Sequence, residues 1–193
     1  MELQGERLIP ASVEATWAAL NDPAILKACI AGCESLERTA DDAYSAVVAV
    51  KVGPVSARFK GNLQLTNIAA PNGYTINFDG QGGVAGFGKG SADVALAPEG
   101  ANATKLSYQA RATVGGKMAQ VGARLIDAAA GKITDDFFKA FEAQLQTVAA
   151  APAEGAVATS PAAAPERGSK ISTLWWLIGA VVVLAAIYVM MKR

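Results

Sequence analysis

An uncharged run of 18 residues, from Leu174 to Met191, constrains this chain more than any other feature. A helix of that length rises about 27 Å, close to the roughly 30 Å hydrocarbon core of a bilayer. Trp175 and Trp176 lie at one end of the run and Tyr188 near the other, as is typical of membrane interfaces. A buried core helix is the alternative, but it needs a large partner. The pattern predicts a transmembrane anchor over residues 171–191.

Residues 149–170 separate this run from the rest of the chain. Twelve of the 22 are Ala or Pro, and Val157 is the one larger apolar side chain among them. Such a segment cannot bury a core, so it predicts a flexible linker. Its length is about 26 Å on average and about 70 Å when fully extended. Residues 1–148 remain as a single folded domain.

The charge pattern and the absence of His exclude several classes of function. Residues 1–148 carry 13 basic and 15 acidic side chains, so we expect no nucleic-acid partner. Without His, the chain cannot supply Ser-His or Cys-His nucleophile pairs or imidazole metal ligands. Cys29 and Cys33 are separated by three residues, which is not the CxxC spacing of a redox pair. A half-site for a metal is the alternative to the interpretation that we favour, two partly buried free thiols.

The first residues of the chain bear on its location. Met1 to Ile9 carry charges where a signal peptide has its apolar segment. We therefore expect the domain to face the cytoplasm, with a single C-terminal anchor in the cytoplasmic membrane. Cations flank the anchor equally on both sides, at Arg167 and Lys170 and at Lys192 and Arg193, so they do not decide its orientation.

Alternating apolar and polar residues predict strands within the first 115 residues. The clearest alternation runs from Val55 to Thr66. Turn sequences at Gly53-Pro54, Pro71 to Gly73 and Pro98 to Gly100 separate it from similar segments. Short connections and one polar face indicate an antiparallel sheet with one side in water.

Helical patterns lie on either side of these strands. Ser12 precedes an apolar stripe over Val13 to Leu20, and Asp22-Pro23 opens a second short helix. A long Pro-free segment from Gly115 to Val148 predicts a helix, with Gly131 as a point where it could bend. One strand, two short helices, about six strands and a long helix predict an α+β helix-grip fold. In that fold a bent antiparallel sheet of about seven strands wraps the C-terminal helix.

Four stretches of the domain resemble the G subunit of carbon monoxide dehydrogenase. They are Gly5 to Glu37, Val52 to Gly61 (VGPVSARFKG), Gly80 to Leu96 (GQGGVAGFGKGSADVAL) and Val114 to Phe141. The resemblance covers nearly all of residues 1–148, and the linker and anchor also look like those of many members. That family belongs to the START-like, polyketide-cyclase-like (SRPBCC) superfamily. The resemblance therefore implies a START-like fold, an accessory role beside a molybdenum hydroxylase at the membrane, and an apolar ligand between sheet and helix.

The segment from Gly80 to Ser91 holds six glycines in twelve residues. Gly83 to Lys89 spells GxxxxGK and Gly80 to Ala85 spells GxGxxA, but both phosphate-binding motifs need a helix to follow. The residues that follow alternate like another strand, so phosphate binding is disfavoured. Two alternatives remain: a plain hairpin connection, or a flexible flap whose Val84 and Phe87 gate an apolar cavity.

The predicted ligand site combines this flap with the helices. Small residues on the long helix, Gly122 and Ala128 to Ala130, allow either close packing or an unfilled volume beneath it. Asp41-Asp42 and Asp135-Asp136 are interpreted as solvated, so no catalytic or metal-binding residue is predicted. The residues that we expect to line the cavity are Leu26, Val84, Phe87, Met118, Val121 and Leu125.

The leading hypothesis is a non-enzymatic, membrane-tethered accessory protein of a molybdenum hydroxylase such as carbon monoxide dehydrogenase. It would recruit the enzyme to the membrane and bind a lipophilic quinone for electron transfer. We expect no covalent cofactor, and the bound ligand would be an isoprenoid quinone, menaquinone or ubiquinone. The alternatives are a membrane adaptor without ligand, and a cyclase- or hydrolase-like enzyme on an apolar substrate, which the absence of His disfavours.

Overall fold

The structure is a computed structural model, and it describes residues 1–150, with side-chain exposure given for residues 1–147. One strand comes first, two short helices follow, then six strands and a long helix, in the predicted order. The strands are β1 (Glu2–Ile9), β2 (Cys33–Ala40), β3 (Ala43–Val52), β4 (Val55–Ala69), β5 (Gly73–Gln81), β6 (Phe87–Pro98) and β7 (Thr104–Gly115). The helices are α1 (Val13–Leu20), α2 (Pro23–Cys29) and α3 (Ala123–Ala150).

The two short helices begin where the sequence predicts. The Ser12 hydroxyl accepts a hydrogen bond from the Ala15 backbone N–H at 3.2 Å, which caps α1. The Asp22 carboxylate accepts one from the Ala24 N–H at 2.8 Å, with Pro23 in the first turn of α2. Both caps satisfy backbone donors that a helix N-terminus leaves without a partner.

The seven strands form one antiparallel sheet in the order β1-β7-β6-β5-β4-β3-β2. Each of β2 to β7 pairs with its neighbour in sequence, and β1 pairs with β7 at the opposite edge from β2. Exposure along β4 alternates from Val55 to Thr66 as predicted, with the apolar residues on the less exposed face. That face of the sheet carries the helices.

The start of the long helix differs from the prediction. Residues Gly116–Val121 form a separate 3₁₀ helix, and α3 begins only at Ala123. Gly116 and Gly122 bound this short helix with φ angles of 75° and 95°, which L side chains rarely adopt. The backbone therefore turns twice before α3 can begin. From there α3 continues as one helix of 28 residues through Gly131.

The main core fixes one half of α3. Phe138, Phe141 and Leu145 are buried in α3, while no residue of α3 before Phe138 is buried. Phe141 is fully enclosed and belongs to the same cluster as Ile9 of β1 and Leu106 of β7. A second cluster, Leu36, Tyr44, Leu65 and Tyr74, lies on the sheet and shares Trp17 and Val94 with the first. The C-terminal half of α3 is thus packed closely, and its N-terminal half is not.

The predicted anchor cannot be compared with the structure. Among residues 1–150, no helix is both long and apolar enough to cross a membrane. Residues 171–191, and the linker after Ala150, lie outside the described residues.

Two glycines, Gly131 within α3 and Gly122 just before it, give a test of this helix. A Cβ added to Gly131 would meet no atom within 4 Å, and its φ is not left-handed. Gly131→Ala is expected to raise the free energy of unfolding by about 0.5–1 kcal/mol, because Gly costs that much in a helix.

Gly122→Ala is the matched control, since its Cβ also meets nothing within 4 Å but its φ is 95°. We expect it to lower stability by about 1 kcal/mol or more. Urea denaturation of the full chain measures both values. A destabilised Gly131→Ala variant would contradict the open surroundings of that position.

Candidate functional site

An apolar cavity of about 200 Å³ lies between the sheet and the helices. Leu26 and Ile30 line it from the α2 side, and Phe137 and Phe138 line it from α3. The sheet supplies most of the remaining wall through side chains that alternate inward along neighbouring strands. The other lining residues are Leu20, Leu36, Tyr44, Leu63, Leu65, Tyr74, Ile76, Val94, Leu106 and Tyr108.

The strand register explains why these side chains meet. Leu65 pairs with Ile76, and Tyr74 pairs with Val94, which in turn pairs with Tyr108. Directly paired residues point to the same face of a sheet, about 4.5–5.5 Å apart. These pairs therefore form a continuous apolar wall across β4 to β7.

A second apolar cavity, of about 180 Å³, lies under the N-terminal half of α3. Met118 of the 3₁₀ helix is buried at the wall of this cavity. Phe87, the first residue of β6, also lines it. The other lining residues are Val50, Val52, Phe59, Gly88, Val114, Ile126, Ala129, Ala130 and Ile133.

Both cavities lie between α3 and the inward face of the sheet and share no lining residue; we call the strip of sheet and helix that runs from one to the other the groove. Tyr108 and Val114 lie six residues apart on β7, so the two walls are about 20 Å apart along the strand. Between these two walls, Phe78 of β5 is a large residue on the inward face of the sheet. The other inward positions are small: Gly61 on β4, Gly80 on β5, Gly88, Gly90 and Ala92 on β6, and Ala110 and Ala112 on β7. The floor of the groove is therefore built mainly of Gly and Ala.

The structure divides the predicted cavity residues. Leu26 lines the first cavity, while Phe87 and Met118 line the second. Three others line neither: Val84 is 86% exposed, Leu125 is 49% exposed, and Val121 is half-buried. The predicted set thus does not form one site, and its role in binding a ligand stays a prediction.

The aromatic wall of the first cavity is absent from the sequence prediction. Tyr44, Tyr74, Tyr108, Phe137 and Phe138 all line it. Tyr74 and Ile76 alternate with polar residues along the chain, as do Leu106 and Tyr108, and this alternation already places them on inward faces. The missing signal is the strand register, because it decides which inward faces are neighbours.

The glycine-rich segment is a connection between antiparallel strands. A short 3₁₀ helix, Gly83–Ala85, links β5 to β6, and no α-helix follows, in agreement with the argument against phosphate binding. At Gly86, φ is 114°, and a Cβ would come within 1.9 Å of the Gly115 carbonyl oxygen. The glycine there allows close approach of two backbones. Phe87 lines the second cavity, whereas Val84 is exposed and lines neither cavity. The two side chains therefore do not share one cavity.

The carboxylates expected to be solvated lie away from both cavities. Asp135 forms an ion pair with Arg7, and Asp136 pairs with Lys132 at 2.6 Å on the exposed side of α3. Among residues 1–150, no group of three or more Cys, Asp or Glu is placed to hold a metal ion. The lining of the two cavities contains no charged side chain.

The two cysteines have the character of structural thiols. Cys29 ends α2 and is buried, and Cys33 begins β2 and is partly buried. Burial raises the pKa of both thiols, and nearby Lys27 only partly opposes this rise for Cys33. Because the thiolate is the reactive form, a raised pKa disfavours nucleophilic or redox chemistry.

Comparison with known proteins identifies a family and solved structures that are similar to this chain. Residues 5–146 match the family of the carbon monoxide dehydrogenase G subunit (CoxG). A conserved protein from Geobacillus kaustophilus has a similar crystal structure, with a TM-score of 0.72 and 32% identity, covering 76% of this chain and 96% of that one. No curated protein matches the chain by sequence.

More distant structures share the fold alone. A START superfamily protein from Mycobacterium smegmatis has a TM-score of 0.56 at 17% identity, covering 76% of this chain and 98% of that one. The ZhuI aromatase/cyclase from Streptomyces sp. R1128 has a TM-score of 0.60 at 12% identity, with 78% and 96% covered. The antiparallel sheet with its C-terminal helix is therefore a START-like fold, as predicted.

Gly88 offers a way to fill the second cavity without disturbing its wall. A Cβ at Gly88 would meet no atom within 4 Å, and the residue lines the cavity from β6. Gly88→Val is expected to keep or raise stability by up to about 1 kcal/mol, because it adds buried apolar atoms and a β-branched side chain to a strand. If the cavity holds an apolar ligand, Gly88→Val should also lower the amount of that ligand extracted from the full chain.

Ala97→Val is the control, because Ala97 lies on the exposed face of the same strand. Thermal unfolding and organic extraction measure stability and bound ligand. A Gly88→Val protein that is strongly destabilised would show that the second cavity has no free space for the added side chain.

Proposed function

Because the chain belongs to the family of the carbon monoxide dehydrogenase G subunit, we propose that it is a membrane-tethered accessory protein of a molybdenum hydroxylase such as carbon monoxide dehydrogenase. The domain recruits the enzyme to the cytoplasmic membrane and holds a lipophilic quinone, menaquinone or ubiquinone, for electron transfer. The chain itself catalyses no reaction.

One observation supports the ligand above all others: two charge-free apolar cavities aligned in a groove with a floor mainly of Gly and Ala. Protein interiors are normally close-packed, and each buried methylene is worth about 0.8 kcal/mol. A groove that leaves such space unfilled beneath a helix suits an elongated apolar molecule. The distance of about 20 Å between the cavity walls suits a ring with an attached chain better than a compact ligand.

The tether and the cavity both bear on the insolubility of a quinone in water. An isoprenoid quinone has a large cost of transfer into water, about 0.8 kcal/mol for each methylene exposed. A carrier that encloses the chain avoids this cost while the quinone passes between bilayer and enzyme. The predicted linker keeps the carrier close to the membrane, which raises its effective concentration there.

A membrane adaptor without ligand is the second candidate. Each cavity, at about 200 and 180 Å³, is smaller than the roughly 300–1,000 Å³ typical of small-molecule sites. Under this alternative the domain binds the enzyme through its surface, and the cavities are packing defects. A cyclase- or hydrolase-like enzyme is less supported, because the titratable side chains in the cavity walls are phenols.

Organic extraction of the detergent-purified full chain, followed by mass spectrometry, tests the carrier against the adaptor. We expect a quinone in the extract of the parent protein. Phe87→Asp should lower the amount per folded protein, because an unpaired carboxylate in an apolar site costs several kcal/mol. Val84→Asp is the matched control on the same segment, since Val84 is 86% exposed.

The outcomes separate the two functions. Absence of any quinone or other lipid in the parent extract would favour the adaptor. Equal loss in Phe87→Asp and Val84→Asp would point to the surface of the segment and away from the second cavity. Thermal unfolding of each variant distinguishes loss of ligand from loss of fold.

The proposed tether has its own test. Deletion of Ser169 to Arg193 should leave a folded domain that no longer sediments with membranes, because the core clusters lie within residues 9–145. Circular dichroism and membrane fractionation measure the two properties. A truncated protein that loses its secondary structure, or remains in the membrane fraction, would contradict the assignment of the tether to residues 171–191.

A further inference from the structure

Three tyrosines line the first cavity, and among them Tyr74 alone is deeply buried with a hydroxyl that makes no hydrogen bond to a described residue. Its side chain lines the cavity, and the residue is only 6% exposed. Its ring packs edge-on against Trp17, with centroids 5.3 Å apart. No residue among those described accepts a hydrogen bond from its hydroxyl, and the oxygen is not among the side-chain atoms that protein encloses completely. The hydroxyl oxygen therefore keeps some accessible surface, on a side chain that lines the cavity.

The other two tyrosines of the cavity differ from Tyr74. The Tyr44 hydroxyl accepts a hydrogen bond from Arg38 at 2.8 Å and donates to the Asn21 carbonyl at 3.4 Å. The Tyr108 hydroxyl lies over β1, where a Cβ at Gly5 would come within 2.6 Å of it, and the residue is only half-buried. Tyr74 alone combines burial with an unused donor inside the cavity.

A buried hydroxyl without a partner is unfavourable, and such groups in proteins usually meet a ligand or an ordered water. We propose that the Tyr74 hydroxyl donates a hydrogen bond to a neutral carbonyl oxygen on the head group of the bound ligand. This inference rests on the proposed function and adds the position and polarity of the head group: it lies in the first cavity, and the chain extends along the groove toward the second.

The surroundings of Tyr74 select for a neutral acceptor. The cavity wall holds no cation that could balance a carboxylate or phosphate. The nearby Arg38 guanidinium is already bound to the Tyr44 hydroxyl and the Asn21 carbonyl. An isolated anion in such a site pays a large desolvation cost, whereas a ketone or quinone carbonyl needs only one donor.

The state of the phenol fits this role. Burial, with a smaller contribution from Tyr44, raises the pKa of Tyr74 well above its ordinary value. The hydroxyl therefore keeps its proton throughout the physiological range and remains a donor.

The test uses the full chain in detergent with Trp175→Phe and Trp176→Phe, which leaves Trp17 as the sole tryptophan. The probe is 2,3-dimethyl-1,4-naphthoquinone, whose blocked ring positions prevent addition of the thiols of Cys29 and Cys33. Saturable quenching of Trp17 fluorescence reports binding beside Tyr74. Tyr74→Phe should raise the Kd about fivefold, the equivalent of one hydrogen bond.

Three comparisons isolate the hydrogen bond. Tyr108→Phe removes the other unbonded phenol and should leave the Kd within about twofold, as expected for a group outside the contact. The competitor 2,3-dimethylnaphthalene has the same rings and no carbonyl, so its inhibition constant, corrected for the Kd of the quinone, should be the same for the parent and for Tyr74→Phe. The anion 2-naphthoate should not displace it.

A folded Tyr74→Phe variant with the Kd of the parent would overturn the inference while the parent's binding upholds an apolar-ligand site. Displacement by 2-naphthoate as effective as by the hydrocarbon would overturn the selection for a neutral head group. If Tyr74→Phe does not fold, Tyr74→Leu takes its place. We then expect the same rise in the Kd of the quinone and no change in the inhibition constant of the hydrocarbon. A parent without saturable quenching overturns the inference, and the extraction experiment then decides the proposed function separately.

Discussion

The contact of Phe141 with the edge of the sheet is the interaction on which the rest of the domain depends. Phe141 is fully enclosed in a cluster that includes Ile9 of β1 and Leu106 of β7, the two strands that the sheet brings together from opposite ends of the domain sequence. This cluster fixes one end of α3 over the sheet. The other half follows the turns at Gly116 and Gly122 and contains no buried residue before Phe138. A helix that is packed closely along one half can leave space beneath the other.

The floor beneath that half is built mainly of small residues, and this has an energetic cost. Gly61, Gly80 and Gly88 follow one another across neighbouring strands, and at Gly80 and Gly88 a larger side chain would have room to bury more apolar surface. Glycine also weakens a strand. Empty apolar volume costs on the order of 24 cal/mol per Å³ in engineered cavities, so cavities near 200 Å³ forgo several kcal/mol. Retaining this space makes physical sense where a ligand occupies it.

Periodicity in the sequence was sufficient for the fold and insufficient for the site. The caps at Ser12 and Asp22, the alternation along β4 and the order of elements all depend on neighbours within a few residues, and these predictions are confirmed. The cavity walls depend on register between strands. Tyr74 and Tyr108 line the same cavity because both pair with Val94, and no local pattern specifies that pairing.

The glycine-rich segment shows the same dependence on contacts between strands. Its composition indicated freedom of movement, and both of its apolar residues were therefore expected at one cavity. In the structure, Gly86 lies against Gly115, and Phe87 at the start of β6 lines the second cavity while Val84 is exposed. Glycine here provides close approach of two backbones, and composition alone cannot separate that role from flexibility.

Apolar packing rather than ion pairing must stabilise this under-filled domain. The ion pairs among the described residues join partly or well exposed side chains, including Arg58 with Glu34 and Lys105 with Glu6, and such surface pairs contribute little to stability. Stability must therefore come mainly from the apolar clusters around Phe141 and Leu65. Because those clusters adjoin the first cavity through Val94, a ligand in that cavity would extend the same packing. Binding to the folded state alone stabilises a protein by mass action, so the binding of such a ligand would be coupled to the folding of the domain.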